Sequence, residues 1–429
     1  MRIKKQRSEV FSSGNVRLSS GGKSKTDSDN LLIRRPQGYR KLSMIGTLAS
    51  VTILAAACGS SSTSAKSSST TQNSTATTAA SNVNLSSIKA SLKKLEAVPQ
   101  FSPPGPKINA AKLKGDKMVA IDCAPSAAPP VQTTQGVVAA GKVAGINVTV
   151  LAGATQDIPQ EIKFFDQAIN SKPVAIVSVG CVPQLLQVPF QAAKTAGIPI
   201  IASDDMGPTI GAPGQGGGSL VYGVAAQPMS SEGTILAKEI AVNGPANAKI
   251  GFVSTNDIAG SPQIETAFKA GLAKYCPGCK IEDVANVDAS LWVTSLAQTI
   301  SSMLSSHPNL NYLIPVFDGQ APFVASALGS SSADKSIKVI TTQGSVGAAM
   351  GDVQKGLFFS DVGTSSTWVG WAAMDQAMRA ALKLPPESNP ILPIRLVTAS
   401  TLKGVNPSSD AAIYGTSYVA GFKKLWGLP

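Results

Sequence analysis

Five cysteines, one histidine and two adjacent aspartates are the residues of this 429-residue chain best placed to do chemistry. Cys276 and Cys279 flank Pro-Gly in "YCPGCK". That C-x-x-C spacing serves a thioredoxin-like redox pair, half of a zinc site or an inert clasp, and the compartment decides among them. A redox pair opens a helix, where the dipole lowers a thiol pKa. Here the motif follows a helix expected over Pro262–Lys274 and precedes the strand "KIEDVA", so a local disulfide is the expectation. His307, in "SSHPN", stands at a helix end before a proline and reads as a C-terminal cap. A single histidine leaves no set for most zinc or triad chemistry. Asp204 and Asp205 are neighbours after a strand, so their side chains point apart, and no second activating group accompanies them. No catalytic residue, metal or cofactor is expected.

The compartment is set by the N-terminus. Arg40 and Lys41 precede an apolar run from Leu42 to Ala57, which meets Cys58 and then a Ser/Thr tract. The run is too short for a spanning helix, which needs about 20 apolar residues. A positive flank, a short apolar region and small residues describe a secretory signal. Ala55-Ala56-Ala57-Cys58 resembles a bacterial lipobox, with alanine where leucine is usual; that resemblance implies an acylated Cys58 and a mature protein outside the cytoplasm, anchored to the cell membrane. Arg34-Arg35 is followed by Pro36-Gln37, which departs from a twin-arginine pattern.

The formal charge of +12 resides mainly in this leader. Residues 1–58 hold 11 Lys and Arg against 3 Asp and Glu; the remainder holds 26 against 22, without a basic run to track phosphates. A nucleic-acid partner is therefore not expected. Residues 59–84, rich in Ser, Thr, Ala and Asn, cannot bury a core and read as a tether. Residues 85–116 combine a short amphipathic helix over Leu85–Ala97 with the Pro-rich "VPQFSPPGPK".

From Lys117 onward, short β-branched runs alternate with helix-length segments: "MVAID", "NVTVL", "VAIVSV" and "IPIIAS", then after the glycine-rich "GAPGQGGGS", "KIGFV", "KIEDVA", "NYLIPV", "IKVITT" and "LFFSDVG". The first intervening helix is expected over Gln135–Ala144. Near-continuous apolar strands separated by helices indicate parallel sheets covered on both faces. The expected class is α/β, two doubly wound parallel-sheet lobes. In the strand order 2-1-3-4-5 the first and third strands are neighbours, about 4.8 Å apart, so Cys123 and Cys181 at their ends come within disulfide reach. Both pairs suit an oxidising compartment.

This order resembles the type 1 periplasmic binding proteins, the sugar-type receptors of ABC importers. "AAKTAGIPIIASDD", "LSSHPNLNYLIPVFDGQA" and "IKVITTQGS" followed by "GLFFSDVG" carry the likeness. It implies three crossings between lobes, near Val224, Gly363 and Leu392. Lobe one would comprise 117–228 and a return segment 364–392, and lobe two 229–363; the last crossover strand and tail, 393–429, would lie on lobe two. In open parallel sheets ligands sit beyond the carboxyl ends of strands. That nominates Ser126, Asp204 and Asp205 from lobe one, Asp257, Phe317, Asp318 and Gln343 from lobe two, and Trp368 from the return helix. Asp204 matches the family's aspartate after the fourth strand. Elsewhere the usual arginine is Ile264, the asparagine Phe317, the second aspartate Gln343 and the hinge glutamine Gly363.

The function expected is a lipid-anchored, monomeric solute-binding protein that captures a sugar, a sugar-like molecule or a more apolar one and delivers it to ABC permease subunits. A receptor of the same fold that hands its ligand-bound form to a membrane sensor is the alternative, and a secreted enzyme using "CPGC" a third. Replacing Cys58 with serine should abolish acylation and detergent-phase partitioning of the mature form. A wild-type protein recovered from the aqueous phase would contradict the anchor.

Overall fold

Where β-branched residues run unbroken the chain extends, and the C-terminal end of each strand feeds a helix that returns over the sheet. The computed structural model describes residues 84–204, 220–225, 227–258, 260–330, 336–387 and 392–429. The leader, Cys58, the Ser/Thr tract, Asp205 and the glycine-rich stretch 211–219 lie outside the described residues.

After helix α1 (Leu85–Leu95), lobe one alternates β1 (Lys117–Asp122), α2 (Ala128–Ala144), β2 (Asn147–Ala152), α3 (Ile158–Asn170), β3 (Ala175–Val179), α4 (Gln187–Thr195), β4 (Ile200–Ser203) and β5 (Gly223–Ala225). Its sheet is parallel, in the order β2-β1-β3-β4-β5. Lobe two contains α5 (Met229–Asn243), β6 (Lys249–Ser254), α6 (Gly260–Tyr275), β7 (Lys280–Asn286), α7 (Ala297–Ser306), β8 (Tyr312–Pro315), α8 (Ala321–Ser330), β9 (Lys338–Gln343), α9 (Ala348–Lys355) and β10 (Ser360–Gly363). Helix α10 (Ser366–Ala381) returns to lobe one, and β11 (Arg395–Thr398) joins the second sheet antiparallel to β10. That sheet runs β11-β10-β9-β8-β6-β7. Short helices α11 (Asp410–Tyr414) and α12 (Ser417–Leu425) end the chain. Among the described residues no helix is long and apolar enough to cross a membrane.

Helix α2 begins seven residues earlier than its periodicity indicated, because Pro129 and Pro130 stand in its first turn. There a missing N–H has no helical partner to lose, so proline starts the helix where it would break a later turn. Gly145, with φ +72°, closes it in the left-handed conformation.

The termini depart from expectation. Helix α1 buries Ile88 and Leu92 in the lobe-two core, while Phe101 and Ile108, farther along the lead-in, pack in lobe one. The tail was expected on lobe two. Ile413 and Tyr414 do lie in a lobe-two core, but Tyr418, Phe422, Leu425 and Trp426 of the last helix enter the lobe-one core. Their spacing makes one apolar stripe. Trp371 stacks on Trp426 with centroids 5.3 Å apart, and Trp426 Nε1 donates to Asp375 Oδ1 at 2.7 Å. The two straps cross side by side: Phe101 N donates to Ser417 Oγ (3.1 Å), and that hydroxyl donates to Pro99 O (3.3 Å). They add to the passages at β5–α5, β10–α10 and Leu392–Arg395.

Helix α10 covers the lobe-one sheet by pressing its backbone on α2. A Cβ on Gly136 would stand 2.3 Å from Thr367 O, and one on Gly370 2.2 Å from Thr133 O. Gly370→Ala should therefore lower stability by about 1–3 kcal/mol despite alanine's better helix propensity. Thermal denaturation should read this as a fall of about 2–4 °C per kcal/mol. An unchanged melting temperature would mean that the helices can separate freely.

Candidate functional site

In lobe one the strand ends are tied by the Cys123–Cys181 disulfide, which joins the residues after β1 and β3 with Cα atoms 4.9 Å apart. Both cysteines are buried. Beside them Glu161 of α3 holds two buried carboxylate oxygens without a partner. Burial, helped by Asp157, pushes its pKa up to about 7. The bonded sulfurs cannot serve as thiolate ligands, so this grouping is no metal site. Ser126 lies exposed on the next loop, hydroxyl to hydroxyl with Thr155.

Asp204 follows β4 at φ +54°, a left-handed conformation that aspartate tolerates better than most residues. It is half-buried, and its Oδ2 is enclosed without a partner. Burial raises its pKa to about 7; a hydrogen bond with Thr133 opposes the shift and the nearby Asp122 carboxylate adds to it. Asp122 itself is buried and accepts from Thr134 Oγ1 (2.9 Å) and Ala124 N (3.1 Å). Asp204 thus rests on α2, where the single Thr133 hydroxyl hydrogen is shared between Asp204 and Ser366 O at the start of α10, 3.1 Å from Thr133 Oγ1.

In lobe two Asp257 is exposed after β6, and both its oxygens accept from Ala289 N, at 3.2 and 3.1 Å. Asp318 after β8 is 3% exposed; its Oδ2 accepts from Ser345 N (2.7 Å) and from the Ser345 hydroxyl, while Oδ1 has no partner. Burial pushes its pKa up to about 7. Gln343 ends β9 half-buried at φ +94°, against Gly363 of β10. A Cβ on Gly363 would meet Gln343 C at 2.0 Å, so this backbone admits no side chain at Gly363. Gln132 Nε2 of α2 donates to Val346 O after β9 (3.2 Å), a direct link between the lobes.

Two nominated residues are not at the cleft surface. Phe317 is 1% exposed and packs in the lobe-two core with Met229 and Ile264, because the chain turns inward before Asp318. Trp368 is 3% exposed, stacked on Tyr418 at 4.9 Å, so it is a core residue of lobe one. Ile264 is likewise enclosed in the α5–α6 contact. Asp205 lies outside the described residues. The Cys276–Cys279 disulfide closes the α6–β7 turn, away from the strand ends that form the cleft.

Two cleft-side acids escaped the sequence reading. Glu232 in the first turn of α5 is fully buried, with neither oxygen partnered. Asp361 within β10 is also fully buried; Oδ1 accepts from Gly344 N (3.0 Å) and Oδ2 has no partner. The signal was present: Glu232 lies on α5's buried face, and Asp361 is a charged residue inside a fully buried strand.

Residues 130–384 match the periplasmic binding protein domain family. No curated protein sequence matches the chain. Solved structures with this fold include an ABC transporter solute-binding protein from Agrobacterium vitis bound with α-D-tagatopyranose, 18% identical, with a TM-score of 0.60 over 67% of this chain and 96% of that one. A glucose-galactose binding protein from Geobacillus stearothermophilus is 14% identical, with a TM-score of 0.59 over 67% and 98%. An ABC transporter periplasmic solute-binding protein from Actinobacillus succinogenes with bound D-allose is 18% identical, with a TM-score of 0.59 over 67% and 99%.

The buried acids make stability depend on pH. Asp318 and Glu161 keep a proton up to about pH 7 when folded, whereas an unfolded chain releases it near about 4. Between those values the native state binds more protons, so stability falls as pH rises, by up to about 1.4 kcal/mol per unit for each group. The urea midpoint should be higher at about pH 5 than at about pH 7.5. Asp318→Asn should reduce the difference; equal midpoints in the wild type would contradict these pKa values.

Proposed function

We propose, from the premise that this chain belongs to the periplasmic binding protein domain family, that it captures a small solute between its lobes outside the cytoplasm and delivers it to the permease of an ABC transporter. The observation that carries the reading is the pairing of Asp204 and Asp318. Each stands just beyond a parallel strand, one in each lobe, and each keeps one carboxylate oxygen buried without a partner. An unpaired buried acceptor costs about 1–3 kcal/mol, which a hydroxyl or amine donor on a ligand would offset. Ligands in this class of sheet bind at those strand ends.

The relatives bound with α-D-tagatopyranose and D-allose support a sugar or sugar-like solute. The protein acts as a monomer tethered through acylated Cys58, and it performs no chemistry on the solute. The single histidine supports that last point: His307 Nε2 lies 3.7 Å from Asp283 Oδ2 and follows α7, at the opposite end of the sheet from the cleft. Lobe closure by hinge rotation would trap the solute.

A thermal-shift screen of sugars, polyols and nucleosides should find a solute. At about one hundred times its Kd, such a ligand stabilises by about 2.7 kcal/mol. X-ray scattering should then show compaction on addition. In calorimetry Asp204→Ala should lose about 1.5–3 kcal/mol of binding. A solute that binds without compaction, and equally well to the variant, would place the site elsewhere.

A further inference from the structure

Glu232 is the residue that the fold leaves least explained. Its position follows from its own helix. Seven residues later, Glu239 Oε2 accepts from Ser360 Oγ at the first residue of β10 (2.8 Å). Helix α5 runs opposite to the strands, since Asn243 O at its C-terminal end accepts from Lys338 Nζ at the first residue of β9 (2.7 Å). Two helical turns back from Glu239 cover about 10.5 Å, and the three steps from Ser360 to Gly363 cover about 10 Å. Glu232 therefore lies level with Gly363, at the cleft end of the sheet, on the same helix face as Glu239.

There it joins Asp318 and Asp361. All three are at most 3% exposed, and between them they hold four carboxylate oxygens without a hydrogen-bond partner. Glu232 is the independent member, because it comes from a helix and no turn or cap accounts for its burial. Asp318 and Glu232 both raise the pKa of Asp361, and Asp318 raises that of Glu232, so the three share one region.

Among the described residues none of the three makes an ion pair. The described segments 180–186, 255–258, 287–291, 317–320 and 343–347, which follow strands, contain no Lys, Arg or His, and three of them contain an aspartate. Arg395 stands in register with Gly363, but its guanidinium donates to Glu96 O and Ile413 O, and Lys338 lies at the far end of the sheet. Among the described residues these carboxylates do not converge within 4.8 Å as the ligands of a single metal ion would. Burial favours the protonated form of these acids while they have no partner, and a cation placed against them would favour the ionised form and draw a proton off.

We propose that Glu232, Asp318 and Asp361 form an ammonium-binding floor on the lobe-two side of the cleft, so that the solute is an amine-bearing sugar or polyol rather than a neutral one. This rests on the solute-binding reading and names its ligand class. An ammonium group brings three N–H donors and a positive charge to oxygens that have neither partner nor counter-ion.

Matched pairs decide it: D-glucosamine against D-glucose, D-galactosamine against D-galactose, and putrescine against the corresponding diol, each followed by calorimetry on the wild type. At least one amine should bind about tenfold or more tightly than its hydroxyl partner. Glu232→Gln and Asp318→Asn keep the side-chain shape and remove the carboxyl group that would ionise beside an ammonium. Each should erase most of that preference without lowering the melting temperature of the unliganded protein. If the hydroxyl members bind as well or better, solute binding stands and the ammonium floor is overturned. Amine binding unaffected by both substitutions also overturns it, since the cation would sit elsewhere. If no member of any pair binds at millimolar concentration, the ammonium floor is overturned, and the solute-binding reading is decided separately by the wider thermal-shift screen.

Discussion

Much of the cleft depends on a contact that carries no side chain. Helices α2 and α10 meet backbone to backbone at Gly136 and Gly370, and any Cβ there would strike a carbonyl of the opposite helix. That approach sets the height of α2 over the sheet and brings Thr133 to Ser366 O and Thr134 to Asp122. Asp204 leans on Thr133 in turn. Helix α10 is also the segment by which the chain returns from lobe two, so its seating fixes where the β10–α10 passage leaves the hinge. Interiors packed to crystal-like density transmit such a constraint, because they have no slack in which to lose it.

The terminal straps change what the hinge can do. The lead-in and the tail each place one apolar stretch in either lobe and cross beside each other, pinned at Ser417. On the lobe-one side the pinning is reinforced by an aromatic stack in which Phe101, Trp368, Tyr418, Trp371 and Trp426 touch in sequence. On the lobe-two side Arg395 donates to the backbone of both straps, at Glu96 O (3.1 Å) and at Ile413 O. A hinge rotation of the kind proposed for solute capture would bend these segments along with the three internal passages.

The cleft itself is built against the logic of stability. Carboxylates buried without counter-ions cost free energy, and natural proteins tolerate such costs chiefly where function requires them. Here they gather at the C-terminal ends of the strands, where α/β proteins bind ligands. The large apolar cores around both sheets can absorb the penalty, whereas a smaller domain would be unfolded by it. The pKa values raised by burial are the visible form of that cost.

Periodicity alone determined the two parallel sheets, because unbroken apolar runs such as "VAIVSV" and "IKVITT" can be covered on both faces only by helices that return over them. Strand order then brought Cys123 beside Cys181, and the turn after α6 paired Cys276 with Cys279. Asp204 and Asp318 were legible as site candidates for the same reason: each follows a strand. What a strand end cannot reveal is which way its residue turns. Phe317 and Asp318 are neighbours, yet packing draws one ring into the core and leaves the other's carboxylate beside Ser345. Trp368 was legible as a candidate ligand contact on the return helix and the tail as part of lobe two; stacking of Phe101, Trp368 and Tyr418 made the first a core residue and set the last helix on lobe one. Glu232 and Asp361 read as a helix-start acid and a strand acid until the fold set both at the cleft end of lobe two. Local pattern is fixed by near neighbours along the chain, whereas burial, partnering and charge at the cleft arise only when distant segments meet.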